Sequence, residues 1–134
     1  MSELNHQVIS SKEVYNSNTS SGAELLLLAD EVTIQKSSFA GGSPIIRGFE
    51  ANRILLMIDG IRMNNAIYRS GHLQNSITVD PFIVENCNII FGPSAVSYGS
   101  DAIGGVIDYK TKDPITFSKN DSSIFKGNYF IRSN

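Results

Sequence analysis

The stretch Arg53-Ile54-Leu55-Leu56-Met57-Ile58-Asp59-Gly60-Ile61-Arg62 reads as a strand, a two-residue turn and the start of a returning strand. An unbroken apolar run such as 54–58 is what a strand carries when both its faces are covered. Asp-Gly between apolar runs is the strongest short hairpin signal, because the favoured turn needs positive φ at both central residues. A strand covered on both faces needs neighbours, and the flanking sequence supplies them. Upstream, Val32-Thr33-Ile34-Gln35 alternates as a strand does, and Pro44-Ile45-Ile46-Arg47 is a short second one; residues 36–43, with Gly41-Gly42, read as a loop between them. Ser20 or Ser21 is placed to cap a short helix beginning near Gly22 and carrying Leu25 to Leu28. Downstream, Asp80-Pro81 reads as a helix start of about one turn. Residues 86–91 form a strand ended by Gly92-Pro93, residues 94–98 a short helix, and Gly104-Gly105 introduces a last strand over 106–111. The expected fold is α+β: a small mixed β-sheet with short helices, spanning residues 22–112.

The bulk composition narrows the function classes. A chain of 134 residues fits one domain. Its formal charge of -2, with acids and bases interspersed, argues against a nucleic-acid or anionic-membrane binder, which carries a basic excess. Cys87 is the only cysteine, so no internal disulfide is expected, and His6 and His72 lack ligand spacing, so no metal site is expected. The longest apolar runs are far too short for a membrane-crossing helix. The residues after Met1 do not resemble a secretory leader, which fits either a cytoplasmic protein or a mature piece of an exported one.

Catalytic motifs fail on inspection. Residues 99–106, Gly-Ser-Asp-Ala-Ile-Gly-Gly-Val, have the glycine spacing of a phosphate-binding loop, but Gly105 and Val106 stand where lysine and a hydroxyl residue are needed. Gly92-Pro93-Ser94-Ala95-Val96 approaches a hydrolase nucleophile elbow without its second glycine, and Ser94 reads better as a helix-start residue. Asp59 is accounted for by its turn, and Cys87 by a strand interior. No catalytic residue, cofactor-binding residue or metal ligand is assigned, and the chain is not expected to be an enzyme.

The two ends and one internal segment read differently from the body. Residues 1–21 are expected to be a flexible arm, with Val8-Ile9 its only clustered apolar pair and a polar run over 16–21. Residues 64–79 form a long loop, of the kind that is usually functional. In residues 113–134, Phe125, Gly127, Tyr129 and Ile131 share one face of an extended segment, an alternation seen in ordinary half-buried strands and in membrane barrel strands alike.

Four motifs in order resemble the plug (cork) domain of TonB-dependent outer-membrane receptors. Pro44-Ile45-Ile46-Arg47-Gly48-Phe49 is similar to the family's I-R-G strand, and residues 53–62 to its I-D-G hairpin. Residues 84–93 follow its third strand up to Gly92-Pro93, and Tyr98-Gly99-Ser100-Asp101-Ala102-Ile103-Gly104-Gly105-Val106-Ile107 matches its closing motif nearly letter for letter. Arg47, Gly48, Asp59, Gly60, Gly92, Pro93, Tyr98, Gly99, Asp101, Gly104 and Gly105 are thereby the structural and barrel-contact positions. Asn86, Asn88 and Phe91 depart from the charged residues usual in the third motif, which implies fewer charged contacts with the barrel there.

The resemblance implies partners: TonB, a C-terminal β-barrel of which 113–134 is the linker and the start of the first strand, and a small nutrient chelate such as a siderophore, haem or cobalamin. It implies an outer-membrane location, the arm reaching into the periplasm. The TonB contact is expected at Val8, Ile9 and Ser10, by strand addition. The ligand-facing loops are expected at 36–43 and 64–75, with Ser38, Phe39, Asn65, Tyr68, Arg69 and His72 the candidate contacts. No acid occurs between Gly60 and Val79, while Arg62 and Arg69 carry positive charge, joined by His72 when it is protonated, which suits an anionic ligand. Residues 64–72 resemble the haem-receptor version of this loop. The rival reading is a free periplasmic binding or adaptor domain that never enters a barrel.

Overall fold

The structure is a computed structural model and describes residues 5–38, 41–50, 53–63, 76, 78–114 and 127. Among the described residues seven strands and three short helices follow one another. They are β1 (His6–Ile9), α1 (Ser11–Ser17), α2 (Gly22–Leu25), β2 (Val32–Ser38), β3 (Gly41–Ile46), β4 (Ile54–Ile58), β5 (Ile61–Arg62), β6 (Val84–Ile90), α3 (Pro93–Val96) and β7 (Gly105–Thr111). Single 3₁₀ turns follow α2 at Leu26–Leu28 and α3 at Ser100–Ala102.

The main sheet has the order β1-β6-β7-β4-β5, and β2-β3 form a separate hairpin. β4 runs parallel to β7, and every other neighbouring pair is antiparallel, so the sheet is mixed. The hairpin forms as its sequence requires: Asp59 and Gly60 sit at φ 51 and 79, and Ile58 faces Ile61. Alternation in β4 sends Ile54 and Leu56 to one face and Leu55 and Met57 to the other, and all four are buried. The first face carries the main core. There Ile107 and Tyr109 of β7 and Val84, Cys87 and Ile89 of β6 pack against Leu25, Leu26 and Val32. Tyr109, wholly buried, donates its hydroxyl to the Gly22 carbonyl at 3.0 Å, which satisfies both groups and fastens α2 to the sheet. Burial pushes the ionisation of the Tyr109 phenol and of the Cys87 thiol upward, so both stay neutral.

The expectation of a flexible arm over 1–21 does not hold for residues 6–17. β1 pairs with β6 from His6↔Ile90 to Ile9↔Cys87, and Ile9 (1% exposed) and Val14 (8%) belong to the core. Ser10 and Glu13 form a capping box: the Ser10 N–H donates to Glu13 Oε2 at 2.8 Å, and the Glu13 N–H to Ser10 Oγ at 3.4 Å. Asn18 ends α1 in the left-handed region at φ 48.

Three smaller expectations also change. Residues 36–38 and 41–43 belong to strands, because β2 and β3 pair as far as Ser38↔Gly41. Asp80-Pro81 starts a turn instead of a helix: Asp80 Oδ1 accepts the Phe82 N–H at 2.9 Å, the local bond by which aspartate closes an Asx turn. Gly92, not Ser94, stands at the start of α3, with Pro93 as the first helical residue, and Ser94 Oγ donates back to the Phe91 carbonyl at 3.4 Å.

Candidate functional site

The motif residues gather at the two ends of β4: Asp59 and Gly60 at its C-terminal end beside Tyr109 and Thr111, and Gly104 and Gly105 at its N-terminal end beside Arg53 and Ile54. Asp59 does more than make its turn. Its Oδ1 accepts the Thr111 N–H at 3.0 Å and its Oδ2 the Thr111 hydroxyl at 2.7 Å, while the Asp59 N–H donates to the Tyr109 carbonyl at 2.9 Å. Asp108 Oδ1 accepts the Gly60 N–H at 3.0 Å. The hairpin is thus bolted to the last residue of β7. The bonds from the Thr111 backbone and hydroxyl, with Lys110 nearby, hold the Asp59 carboxyl below its ordinary range.

Two ion pairs brace the motif segments. Arg62 Nη1 meets Asp101 Oδ2 at 2.6 Å, tying β5 to the 3₁₀ turn that precedes β7. Arg47 pairs with Glu31 and lies 4.9 Å over the Phe91 ring. Arg47 and Gly48, at φ 48 and 83, make a tight turn closed by mutual hydrogen bonds between Ile46 and Phe49. Glu31 is held below its ordinary range by Arg47. Gly104 must lack a side chain: its N–H donates to the Arg53 carbonyl at 2.7 Å, and a Cβ there would sit 2.4 Å from Phe49 Cβ. Gly99 leads into the 3₁₀ turn, Gly105 opens β7, and Tyr98 is half exposed. The phosphate-loop spacing is therefore spent on close packing before a central strand.

The candidate ligand residues are placed only in part. Ser38 ends β2 opposite Gly41. Phe39, Asn65, Tyr68, Arg69 and His72 lie outside the described residues. Arg62, counted in the sequence as one source of positive charge for a ligand, has its charge paired with Asp101. Ser76, fully buried, donates its hydroxyl to the Gly42 carbonyl at 3.0 Å. The Gly22 N–H donates to the Val79 carbonyl at 2.8 Å. The chain that follows residues 64–75 is thus fixed to β3 and α2, a link with no local signal in the sequence. Of the candidate TonB residues, Val8 is half exposed on the edge strand, Ile9 is in the core and Ser10 caps α1. Among the described residues no group of three His, Cys, Asp or Glu side chains is placed to hold a metal ion, and no helix is long and apolar enough to cross a membrane.

Residues 2–106 match the family model of the TonB-dependent receptor plug domain. This chain belongs to that family. The plug is 38% identical over 94 residues to a hemin receptor of Yersinia enterocolitica, covering 69% of this chain and 13% of that protein. It is 37% identical over 106 residues to the vitamin B12 transporter BtuB of Vibrio vulnificus, covering 78% of this chain and 17% of that protein. Among solved structures it is similar to the siderophore receptor PirA from Acinetobacter baumannii, with TM-score 0.69, 23% identity and coverage of 82% of this chain and 17% of that one. It is likewise similar to a ferric enterobactin receptor (PfeA) mutant from Pseudomonas aeruginosa, with TM-score 0.68, 21% identity and coverage of 81% and 17%. These structural likenesses support the mixed-sheet plug fold. The plug therefore spans less than a fifth of each of these relatives.

Proposed function

We propose that this plug closes the lumen of an outer-membrane barrel in a receptor that takes up a metal tetrapyrrole, haem in the first instance. The observation that carries the reading is the agreement between the family match over 2–106 and the names of the sequence relatives, which are hemin receptors, a vitamin B12 transporter and heme/hemopexin utilization proteins. The candidate contacts are Phe39, Asn65, Tyr68, Arg69 and His72, with Tyr68 offering an aromatic face to a flat ring and Arg69 a cation to its propionates. The free-standing adaptor reading gains no support from relatives that are receptors and transporters several times this length. The test is growth of a haem-requiring Gram-negative strain on haemin when it carries the complete receptor. Growth that depends on TonB and is lost in Arg69→Gln/Tyr68→Ala supports the reading. No growth on haemin, with cobalamin uptake instead, transfers the ligand to the other tetrapyrrole.

We infer that the TonB contact lies ahead of β1. Handing over Val8, Ile9 and Ser10 as a detached strand would first have to pull Ile9 from the core and break the Ser10–Glu13 box, whereas a segment ahead of β1 carries no such cost. A photo-crosslinking residue at Glu3 of the complete receptor is expected to capture TonB, and one at Val8 is not. Capture at Val8 alone would return the contact to β1.

A further inference from the structure

Asp59-Gly60 is the one place in the sequence where an aspartate or asparagine precedes a glycine. That pair has a reaction of its own. The Gly60 backbone nitrogen attacks Cγ of the protonated Asp59 carboxyl, and a C–N bond forms. The N–H proton and the acid's hydroxyl leave as water, and a succinimide ring results. Water then adds to either ring carbonyl. Opening at one restores aspartate; opening at the other gives isoaspartate, whose main chain runs through Cβ. Glycine permits the attack because it has no side chain to shield its nitrogen. Here a Cβ on Gly60 would meet nothing within 4 Å, and both turn residues are exposed, so burial gives no protection.

Hydrogen bonds engage both reacting groups instead. Asp59 Oδ1 accepts the Thr111 N–H at 3.0 Å and Oδ2 the Thr111 hydroxyl at 2.7 Å, so the carboxyl faces β7 and not its own following nitrogen. The same bonds hold Asp59 below its ordinary range, hence ionised at neutral pH and a poor electrophile. The Gly60 N–H donates to Asp108 Oδ1 at 3.0 Å, and the other oxygen of Asp108 lies 3.1 Å from Lys110 Nζ, which steadies that acceptor. The Asp59 N–H is spent on the Tyr109 carbonyl at 2.9 Å, so the backbone is pinned on the near side of the ring as well. The turn needs none of these bonds for its shape, since Asp-Gly already suits positive φ at both positions.

We propose that Asp59-Gly60 is the isomerisation site of this plug, kept unreactive by Thr111 on the carboxyl and by Asp108 on the Gly60 nitrogen. Isoaspartate then forms there when the end of β7 lets go of the turn, a local opening and not global unfolding. Once formed, it removes the carboxylate that Thr111 holds, so the tie between the hairpin and β7 does not re-form.

The test ages the complete receptor in outer-membrane vesicles at neutral pH and measures isoaspartate at residue 59 by peptide mapping. A free peptide of residues 53–63 gives the unprotected rate. The receptor is expected to react at least about tenfold more slowly than that peptide. Thr111→Val and Asp108→Ala, which each remove a hydrogen bond involving a carboxylate, are expected to raise the yield about tenfold. Thr111→Ser keeps the hydroxyl and is expected to match the unaltered receptor. Leu26→Ala truncates a core residue on the turn after α2 and is expected to leave the yield nearly unchanged. An unaltered receptor as reactive as the peptide overturns the proposal. So does an unchanged yield in Thr111→Val and Asp108→Ala, a raised yield in Thr111→Ser, or a Leu26→Ala yield as high as theirs, which would make unfolding and not these bonds the control.

Discussion

Strands β1 and β7 belong to one sheet and hold it in different ways. β7 lies in the middle, paired on both sides, and buries Val106 and Ile107 on opposite faces as well as Tyr109. β1 is at the edge, has β6 as its one sheet neighbour, and commits a single residue, Ile9, to the core. Removing β1 with α1 uncovers one edge, whereas removing β7 splits the sheet into the separate pairs β1-β6 and β4-β5. Stability in such a fold is graded, and the graded end is the N-terminal one.

The sharpest way to break this comparison is a pair of core truncations. Leu56→Ala, next to β7, is expected to cost about 3 kcal/mol of global stability, read from the urea midpoint and from faster hydrogen exchange throughout the sheet. Ile9→Ala is expected to cost about 2 kcal/mol locally, with faster exchange confined to residues 6–17. Equal acceleration of β4 and β7 by Ile9→Ala would show that the two strands share one cooperative unit. Ser10→Ala removes the cap of α1 and should cost about 1 kcal/mol, again seen as exchange in α1 alone.

A pH titration sharpens the picture at the other end. Asp59, Glu31 and Glu13 are all held below their ordinary ranges in the fold, by Thr111, Arg47 and Ser10 respectively. A depressed acid contributes stability that is complete above its unfolded pKa, about 4, and is lost as pH falls through the lower folded value. The urea midpoint is therefore expected to be level at neutral pH and to fall below about pH 4. Asp59→Asn should lower the neutral plateau and remove part of that fall. The smallest effect belongs to Arg62→Ala, whose exposed pair with Asp101 should matter by less than about 0.5 kcal/mol.

How much could be read in advance follows from the range of each signal. The β4–β5 hairpin was legible because an apolar run and Asp-Gly are adjacent. β1 was not, because Val8-Ile9 is a weak pair by itself and its partner Cys87-Asn88 lies far along the chain. Ser10-Ser11-Lys12-Glu13 did carry the capping-box pattern that would have revealed α1. At the candidate site the same rule holds. The turn at Asp59 was foreseen, but the carboxylate's second task, holding Thr111, depends on a strand 52 residues later. The link from Ser76 to Gly42 spans 34 residues and left no local trace.

The position of β7 has a kinetic consequence. The central strand of the sheet is the last among the described residues, so β1, β4 and β6 have all been synthesised before the strand that joins β6 to β4 exists. Closing β1 on β6 and β4 on β7 also means paying for long loops before any reward, which makes folding slow. A polypeptide arranged in this order can form its local hairpins early, but it joins them into one sheet only when residue 111 has arrived.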